Sequence, residues 1–379
     1  MPPDWSLTGA PARRHTLHTP MRQQMLHGAT GIVPVGRLER LPKWLICIPL
    51  TLQWLWLSLR YRSVSLPSAA NPAITAGGLV GEGKLEYFNG MGALARAATA
   101  PYCALSTHGP HSAASLQELM RASGLEFPIV AKPDLGLCGY GVRLVADLSQ
   151  LQAYVAAFPA GEMVVLQRYL AQTGEAGIFY VRDPFTGVGR ITGLALRYFA
   201  RVVGNGQHNI SELMAADSRT RRAAACPQHE CQLAGERVPA PGEVVRLATI
   251  GASRVGGLYR DGAACITAQL NTAIDAIARD MPDFHFGRFD VRFETLDTLR
   301  AGLDFSIMEI NGAGAEAIEA WDPDTNWLAA FRIIFAKQRL LFAIGNAQRS
   351  LGVQPIGLLA LVRLNRRQCR LLRRYPPSN

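Results

Sequence analysis

Two segments late in the sequence, GRFDVRF and FSIMEIN, place polar side chains in alternation with apolar ones. Successive side chains of a β-strand point to opposite faces of its sheet. Arg288 and Asp290 therefore share one face of the first predicted strand, opposite the apolar Phe289. Glu309 and Asn311 share one face of the second. If the two strands pair, a single face carries two carboxylates, an amide and a guanidinium.

Two carboxylates and an amide oxygen form a set of hard donors that suits magnesium when the ion also holds substrate phosphates. Amphipathic strands with charged outer faces are common, so a solvated face is the alternative interpretation. The glycine-rich turn of residues 312–314, directly after Asn311, favours a site, because its backbone N–H groups can point at an oxyanion.

A second signal lies earlier, where Lys132 ends the apolar run FPIVAKP. Gly136, Gly139 and Gly141 follow, and they permit a tight loop whose backbone can cover phosphates. The spacing matches neither of the familiar phosphate-binding fingerprints. Taken alone, Lys132 is interpreted as a surface lysine.

The order of these signals resembles the ATP-grasp superfamily, and it is most similar to the D-alanine–D-alanine-ligase-type carboxylate–amine ligases over about residues 125–325. The resemblance implies an α+β fold, in which two α+β subdomains clasp ATP, behind an atypical N-terminal region. It implies ATP and Mg²⁺ as cofactors. It also implies a ligase that forms a C–N bond between a small-molecule carboxylate and an amine.

The resemblance also implies roles for individual positions. Lys132 would contact the α and β phosphates, under the glycine loop, and Arg288 would be the catalytic residue that steadies the transferring phosphoryl group. The hinge that holds adenine corresponds to Gln167, Arg168, Tyr169 and Leu170. Glu175 matches the ribose-binding acid, and the magnesium ligands correspond to Asp290, Glu309 and Asn311.

The implied reaction passes through an acyl phosphate, which an amine then attacks. Two alternatives stay open: a kinase of the same superfamily, and a non-catalytic ATP-binding protein at a membrane surface. The complete Arg-Asp-Glu-Asn set disfavours the second. The identities of the acid and the amine are not encoded in any motif, and neither is the oligomeric state.

The chain of 379 residues is long enough for several packed units. Its patterns predict the following division: a flexible arm at 1–36, an N-terminal region with an apolar helix and a glycine-rich loop at 37–120, a first ATP-grasp subdomain at 121–170, a second with the metal site at 171–345, and a basic C-terminal helix at 346–379.

The stretch Trp44–Leu59 carries no formal charge and lies between basic residues. It is slightly short for a membrane span and contains Pro49 and Gln53. A buried helix, an interfacial helix and a true span are the competing interpretations, and the first two together are favoured. The following Asn71–Lys84 segment is either a connecting loop or a phosphate-binding loop.

The net charge of +10 suits anionic partners such as nucleotides or acidic lipids. No nucleic-acid-binding motif accompanies it.

Seven cysteines, an odd number, do not indicate a disulfide framework. The CPQHEC segment has no second ligand pair that would complete a metal knuckle. A cytoplasmic protein is expected, with peripheral membrane association left open.

Overall fold

The computed structural model describes residues 35–224, 226 and 235–379. The arm expected at 1–36 lies almost wholly outside these residues, as do His229 and Cys231 of the CPQHEC segment.

The described residues fold into twelve α-helices and eleven strands. The α-helices are α1 (Arg37–Arg40), α2 (Lys43–Tyr61), α3 (Lys84–Asn89), α4 (Ala93–Ala97), α5 (Ala113–Ala122), α6 (Leu148–Ala157), α7 (Ile210–Ala216), α8 (Arg221–Ala224), α9 (Ala268–Arg279), α10 (Leu296–Arg300), α11 (Trp327–Ser350) and α12 (Leu358–Leu372). The strands are β1 (Tyr102–Ser106), β2 (Ile129–Pro133), β3 (Arg143–Val145), β4 (Met163–Arg168), β5 (Gly174–Arg182), β6 (Gly189–Tyr198), β7 (Arg201–Val203), β8 (Val244–Arg246), β9 (Leu258–Asp261), β10 (Phe286–Phe293) and β11 (Phe305–Asn311).

The strands form two main sheets, which confirms the predicted α+β class. A four-stranded sheet has the order β1-β4-β2-β3, and a five-stranded sheet has the order β11-β10-β5-β6-β9. Every pairing within them is antiparallel, as the tight turns between short strands predict. A small third sheet pairs β7 with β8. Strand β1 lies within the 37–120 range, so the four-stranded sheet takes one strand from the N-terminal region.

The main core lies on the apolar face of the five-stranded sheet. Phe289 of β10 is fully buried there, and its ring centroid is 5.3 Å from that of Phe284 and 6.2 Å from that of Tyr180. Helix α9 packs its apolar stripe, which includes Leu270 and Ile274, into the same cluster. Burial of this face leaves the opposite face of the sheet for polar side chains.

The Asn71–Lys84 segment fastens the two strands that carry the polar face. The Asn71 side chain is fully buried, accepts hydrogen bonds from the backbone N–H groups of His285 and Phe286, and donates to the carbonyl of Gly77. A Cβ atom on Gly78 would come within 2.6 Å of the Cα atom of Gly312. Only glycine permits this close approach.

This packing corrects one expectation from the sequence. In the turn after β11, the N–H groups of Ala313 and Gly314 donate to the carbonyls of Gly77 and Gly78, at 3.1 and 2.6 Å. These two donors are therefore occupied by the backbone of the Asn71–Lys84 segment and do not face an oxyanion.

The apolar stretch Trp44–Leu59 lies within helix α2, which packs one side against α11. The ring centroids of Trp54 and Phe342 are 4.9 Å apart, and the Gln53 side chain donates to the carbonyl of Phe335 at 2.8 Å. No helix among the described residues has the length and apolar character needed to cross a membrane.

The aromatic packing at Phe289 gives a stability prediction. Phe289→Ala is expected to lower the free energy of unfolding by about 3–5 kcal/mol, because it leaves a cavity among fully buried rings. Phe185→Ala is the matched control, because Phe185 is 54% exposed in the β5–β6 turn, and it should change stability by about 0.5 kcal/mol or less. Chemical denaturation measures both, and equal losses would contradict this account of the core.

Candidate functional site

The structure places the four late-sequence polar residues on one face of the five-stranded sheet, called here the site face. Strands β10 and β11 pair so that Arg288 lies opposite Asn311 and Asp290 lies opposite Glu309. The register shifts after Asp290. This irregularity allows the neighbouring isoleucines of β11 to enter the core, while the carboxylates stay together on the site face.

Asp290 is the most deeply buried charge on the site face, with 2% of its surface exposed. Arg288 binds it through two hydrogen bonds, from Nε to Oδ1 at 2.6 Å and from Nη2 to Oδ2 at 2.9 Å. Arg197 of β6 adds an ion pair from Nη1 at 3.1 Å, and the Asn311 amide donates at 3.3 Å. The two guanidinium groups compensate the loss of hydration that burial imposes on the carboxylate.

A second buried carboxylate, Glu175, continues the network. Arg197 reaches its Oε1 atom at 3.0 Å, and Arg292 of β10 reaches its Oε2 atom at 3.3 Å. Arg292 also donates to the carbonyl of Gln172 at 2.9 Å. The assignment of Glu175 to a ribose stays a prediction, since both of its oxygens contact arginines in this structure.

Arg197 and Arg292 were not identified from the sequence. Arg292 continues the alternation that begins with Arg288 and Asp290, so that pattern could have revealed it. Arg197 reaches Asp290 because β5, which separates β6 from β10, contributes Gly177 beside the carboxylate. This arrangement depends on the order of strands in the sheet, which no local motif encodes.

Two buried lysines lie beside the site face and contact strand β11. The Nζ atom of Lys84 lies 3.2 Å from Oε1 of Glu309. The Nζ atom of Lys132 donates to Oε1 of Gln167 at 2.7 Å and to the carbonyl of Met308 at 2.8 Å. Lys84 was only the last residue of an ambiguous loop in the sequence, yet it makes the direct contact with Glu309.

The ionisation of these groups reflects their surroundings. Burial raises the pKa of Glu309, but the ammonium groups of Lys84 and Lys132 outweigh it and lower that pKa to about 2. Burial lowers the pKa of Lys132 to about 7, although the charge of Glu309 opposes this shift. Glu309 is therefore ionised throughout the neutral range, while Lys132 titrates within it.

The charged side chains on the site face lie close together. Here the charged cluster denotes five cationic side chains and three carboxylates, namely Lys84, Lys132, Arg197, Arg288 and Arg292 with Glu175, Asp290 and Glu309. With Lys132 protonated, the cluster carries two more positive than negative charges. Glu82 and Asp134 also interact with Lys84, so acidic groups outside the cluster offset part of this difference.

A cavity of about 1100 Å³ lies at the connection between the two sheets, and no member of the charged cluster lines it. The predicted hinge residues Arg168, Tyr169 and Leu170 line it, and so does Gln172, which accepts a hydrogen bond from Arg292. The fourth predicted hinge residue, Gln167, instead directs its side chain to Lys132 and to the carbonyl of Ala100.

The glycine loop after Lys132 lies against the charged cluster. Gly139 and Gly141 both have a φ of +73°, a left-handed conformation that favours glycine. A Cβ atom on Gly136 would lie 2.7 Å from Nζ of Lys84. The loop backbone is thus in position to cover a ligand bound beside Lys84.

Side chains from the second half of the chain form hydrogen bonds with the backbone of the glycine loop. Arg254 donates to the carbonyls of Cys138 and Gly139, both at 2.9 Å, and to the Ser378 hydroxyl at 2.6 Å. The Tyr375 hydroxyl donates to the carbonyl of Leu135 at 2.7 Å. These contacts fix the position of the loop.

The donors on the site face fit a magnesium ion that also binds phosphates. The described part of the chain has no group of three or more His, Cys, Asp and Glu side chains able to hold a metal. Magnesium in phosphate-binding sites usually takes only one or two carboxylates, however. Asp290 and Glu309 supply two, and Asn311 adds an amide oxygen. The Glu309 side chain is 35% exposed, so it is the accessible one of the pair.

The shifted pKa of Lys132 gives a pH-dependent prediction. Its pKa is about 7 in the folded protein and about 10.4 when unfolded. Between these values the unfolded state binds more protons, so Lys132 makes the free energy of unfolding rise with pH. Lys132→Met should remove this contribution, and the stability of wild type relative to the variant should increase between about pH 7 and pH 10.

Chemical denaturation across this pH range measures the effect, with the exposed Lys43→Met as the control. A stability difference between wild type and Lys132→Met that does not change with pH would show that Lys132 is not buried as described.

Comparisons with known proteins give matches only among solved structures. No protein family matches this sequence, and no curated protein matches it either. A bifunctional glutathione synthetase from Pasteurella multocida has 15% identity and a TM-score of 0.31, with the match covering 66% of this chain and 35% of that one. This chain thus spans about a third of the length of that protein.

Two further solved structures are similar. A D-alanine–D-alanine ligase from Bacillus anthracis has 15% identity and a TM-score of 0.37, over 71% of this chain and 67% of that chain. A D-cycloserine synthetase has 13% identity and a TM-score of 0.37, over 70% and 69%. At these identities and TM-scores the three structures are distant likenesses only.

Proposed function

We propose that this protein binds ATP with magnesium at the charged cluster and uses the nucleotide to join a carboxylate to an amine. The observation that carries the proposal is the meeting of five cationic side chains and three carboxylates on one face of the sheet, next to the glycine loop. We place the reaction in the cytoplasm. The cysteines among the described residues are free thiols, which fits a reducing compartment.

The shape of the site suits a ligand with an uncharged end and a polyanionic end. The hinge residues Tyr169 and Leu170 would contact the base, and the charged cluster would take the phosphates. Lys84 and Lys132 would contact the α and β phosphates through charge-assisted hydrogen bonds. The glycine loop would then cover the phosphates with its backbone.

Asp290, Glu309 and Asn311 would hold the magnesium ion. When bound, the ion would neutralise negative charge on the β and γ phosphate oxygens. Arg288 and Arg197 bind Asp290 before any ligand arrives. Together with the Asn311 amide they fill the roughly four acceptor positions of the carboxylate, so the ion would replace the Asn311 hydrogen bond, and the Asn311 amide oxygen would turn to the ion.

The reaction needs positioning more than it needs a protein nucleophile. A carboxylate oxygen of the substrate attacks the γ-phosphorus, the bond to the β-γ bridging oxygen breaks, and ADP leaves. The amine then attacks the acyl carbon, inorganic phosphate leaves with the bonding electron pair, and the amine loses a proton. Arg288, fixed by Asp290, would steady the transferring phosphoryl group.

The metal assignment predicts the effect of removing the accessible carboxylate. Glu309→Gln should reduce magnesium-dependent ATP turnover by about 100-fold or more, because the amide cannot supply the negative charge. Glu118→Gln is the control, because Glu118 is exposed on α5. Phosphate release measures turnover, and circular dichroism checks the fold. Unchanged turnover in Glu309→Gln would contradict the assignment.

The combined variant Asp290→Asn with Glu309→Gln should remove the remaining turnover. It is expected to be less stable as well, since loss of a buried ion-pair partner costs about 3–5 kcal/mol. If the double variant fails to fold, the metal assignment is judged from the turnover of the single Glu309→Gln variant.

The ligase proposal predicts that an amine accelerates phosphate release. In a screen of candidate acids, each tested with and without candidate amines, one pair should release phosphate faster than the acid alone, with formation of the amide product seen by mass spectrometry. Phosphorylated acid that accumulates and is unaffected by any amine would contradict the ligase and favour a kinase.

A further inference from the structure

Helix α2 has two apolar faces, and only one of them is covered by the described chain. Its inner face, which includes Ile46 and Leu57, is buried against α11 and the neighbouring segments. The sequence alone did not separate the two faces, because nearly every position of the helix is apolar.

The outer face carries a continuous stripe of large apolar side chains, called here the outer stripe. Its members recur at spacings of one, three or four residues, which keeps them on one side of a helix. Each is between 48% and 80% exposed: Trp44, Ile48, Leu52, Leu55, Trp56 and Leu59. Single exposed apolar residues are ordinary, but a contiguous stripe of this size marks an interaction surface.

Positive charge brackets the outer stripe at both ends. Arg40 and Lys43 precede it, Arg60 and Arg62 follow it, and α2 itself contains no acidic residue. The Arg60 guanidinium lies 5.5 Å from the ring centroid of Trp56. Tryptophan beside basic side chains is typical of segments at the boundary between lipid headgroups and acyl chains.

The same charges disfavour two other partners that could cover the outer stripe, namely a second copy of this protein and residues 1–34 of the same chain. A second copy of α2 would bring basic ends together in either a parallel or an antiparallel arrangement. Residues 1–34 contain three arginines and one aspartate, so their charge is also positive. An anionic lipid surface, by contrast, attracts each of the flanking basic residues, most strongly at low salt.

We propose that α2 docks this protein on an anionic membrane surface, with the outer stripe inserted between the headgroups and the helix axis in the plane of the interface. The inner face stays packed on α11, so docking requires no rearrangement of the fold. The inference is independent of the activity proposed above.

The test uses the full chain and vesicles of two compositions, phosphatidylcholine alone and phosphatidylcholine with phosphatidylglycerol. Co-sedimentation is expected with the anionic vesicles, with a blue shift of tryptophan emission and weaker binding at high salt. Absence of binding to anionic vesicles, or equal binding to both compositions, would overturn the proposal.

A matched pair of variants locates the binding surface. Leu52→Glu should weaken vesicle binding by about tenfold or more, since it replaces an inserted leucine with a charge. Leu303→Glu should leave binding unchanged, because Leu303 is exposed to nearly the same extent, 60% against 62%, but lies in the turn before β11. Equal effects of the two variants would place the lipid contact elsewhere.

Size-exclusion chromatography and a variant lacking residues 1–34 distinguish membrane docking from the two other ways of covering the outer stripe. The proposal predicts that Leu52→Glu does not alter the oligomeric state and that the truncated protein binds vesicles as the full chain does. Conversion of a dimer to a monomer by Leu52→Glu would identify a second copy as the occupant. Vesicle binding that arises only after truncation would identify residues 1–34.

Discussion

Burial of the Asp290 carboxylate is the constraint on which the site depends. A carboxylate with 2% exposure is tolerated only when hydrogen-bonded cations replace its water. Arg288 supplies a bidentate contact along the same strand, and Arg197 supplies a second contact from across the sheet. Because Arg197 also binds Glu175, the two carboxylates and their arginines hold one another in a fixed arrangement. The accessible Glu309 and the two lysines are arranged around this rigid base.

The sequence predicted the parts of this site that depend on local pattern. Period-two alternation placed Arg288 and Asp290 on one face, and it did the same for Glu309 and Asn311. The parts that it did not predict depend on which distant segments meet. Lys84 reaches Glu309 because the Asn71–Lys84 segment is fastened to β10 by the Asn71 amide and approaches β11 at Gly78. No spacing in the sequence encodes that contact.

Helix α2 shows the same limit in a different form. Its composition predicted an apolar helix, but whether a face is buried depends on the partner that packs against it. The described chain provides α11 for the inner face and leaves the outer stripe exposed.

The sequence also could not predict the orientation of Gln167. Its side chain turns towards the buried Lys132, because that ammonium group needs a hydrogen-bond acceptor.

We propose that the site face holds a nucleoside triphosphate together with magnesium, with the ion at Asp290, Glu309 and Asn311. The most direct test is a crystal structure with a non-hydrolysable ATP analogue and manganese in place of magnesium, located by its anomalous scattering. The account predicts one or two manganese peaks within about 2.0–2.5 Å of the Asp290 and Glu309 oxygens, with phosphates beside Lys84 and Lys132. Manganese and phosphates bound away from the site face would contradict it.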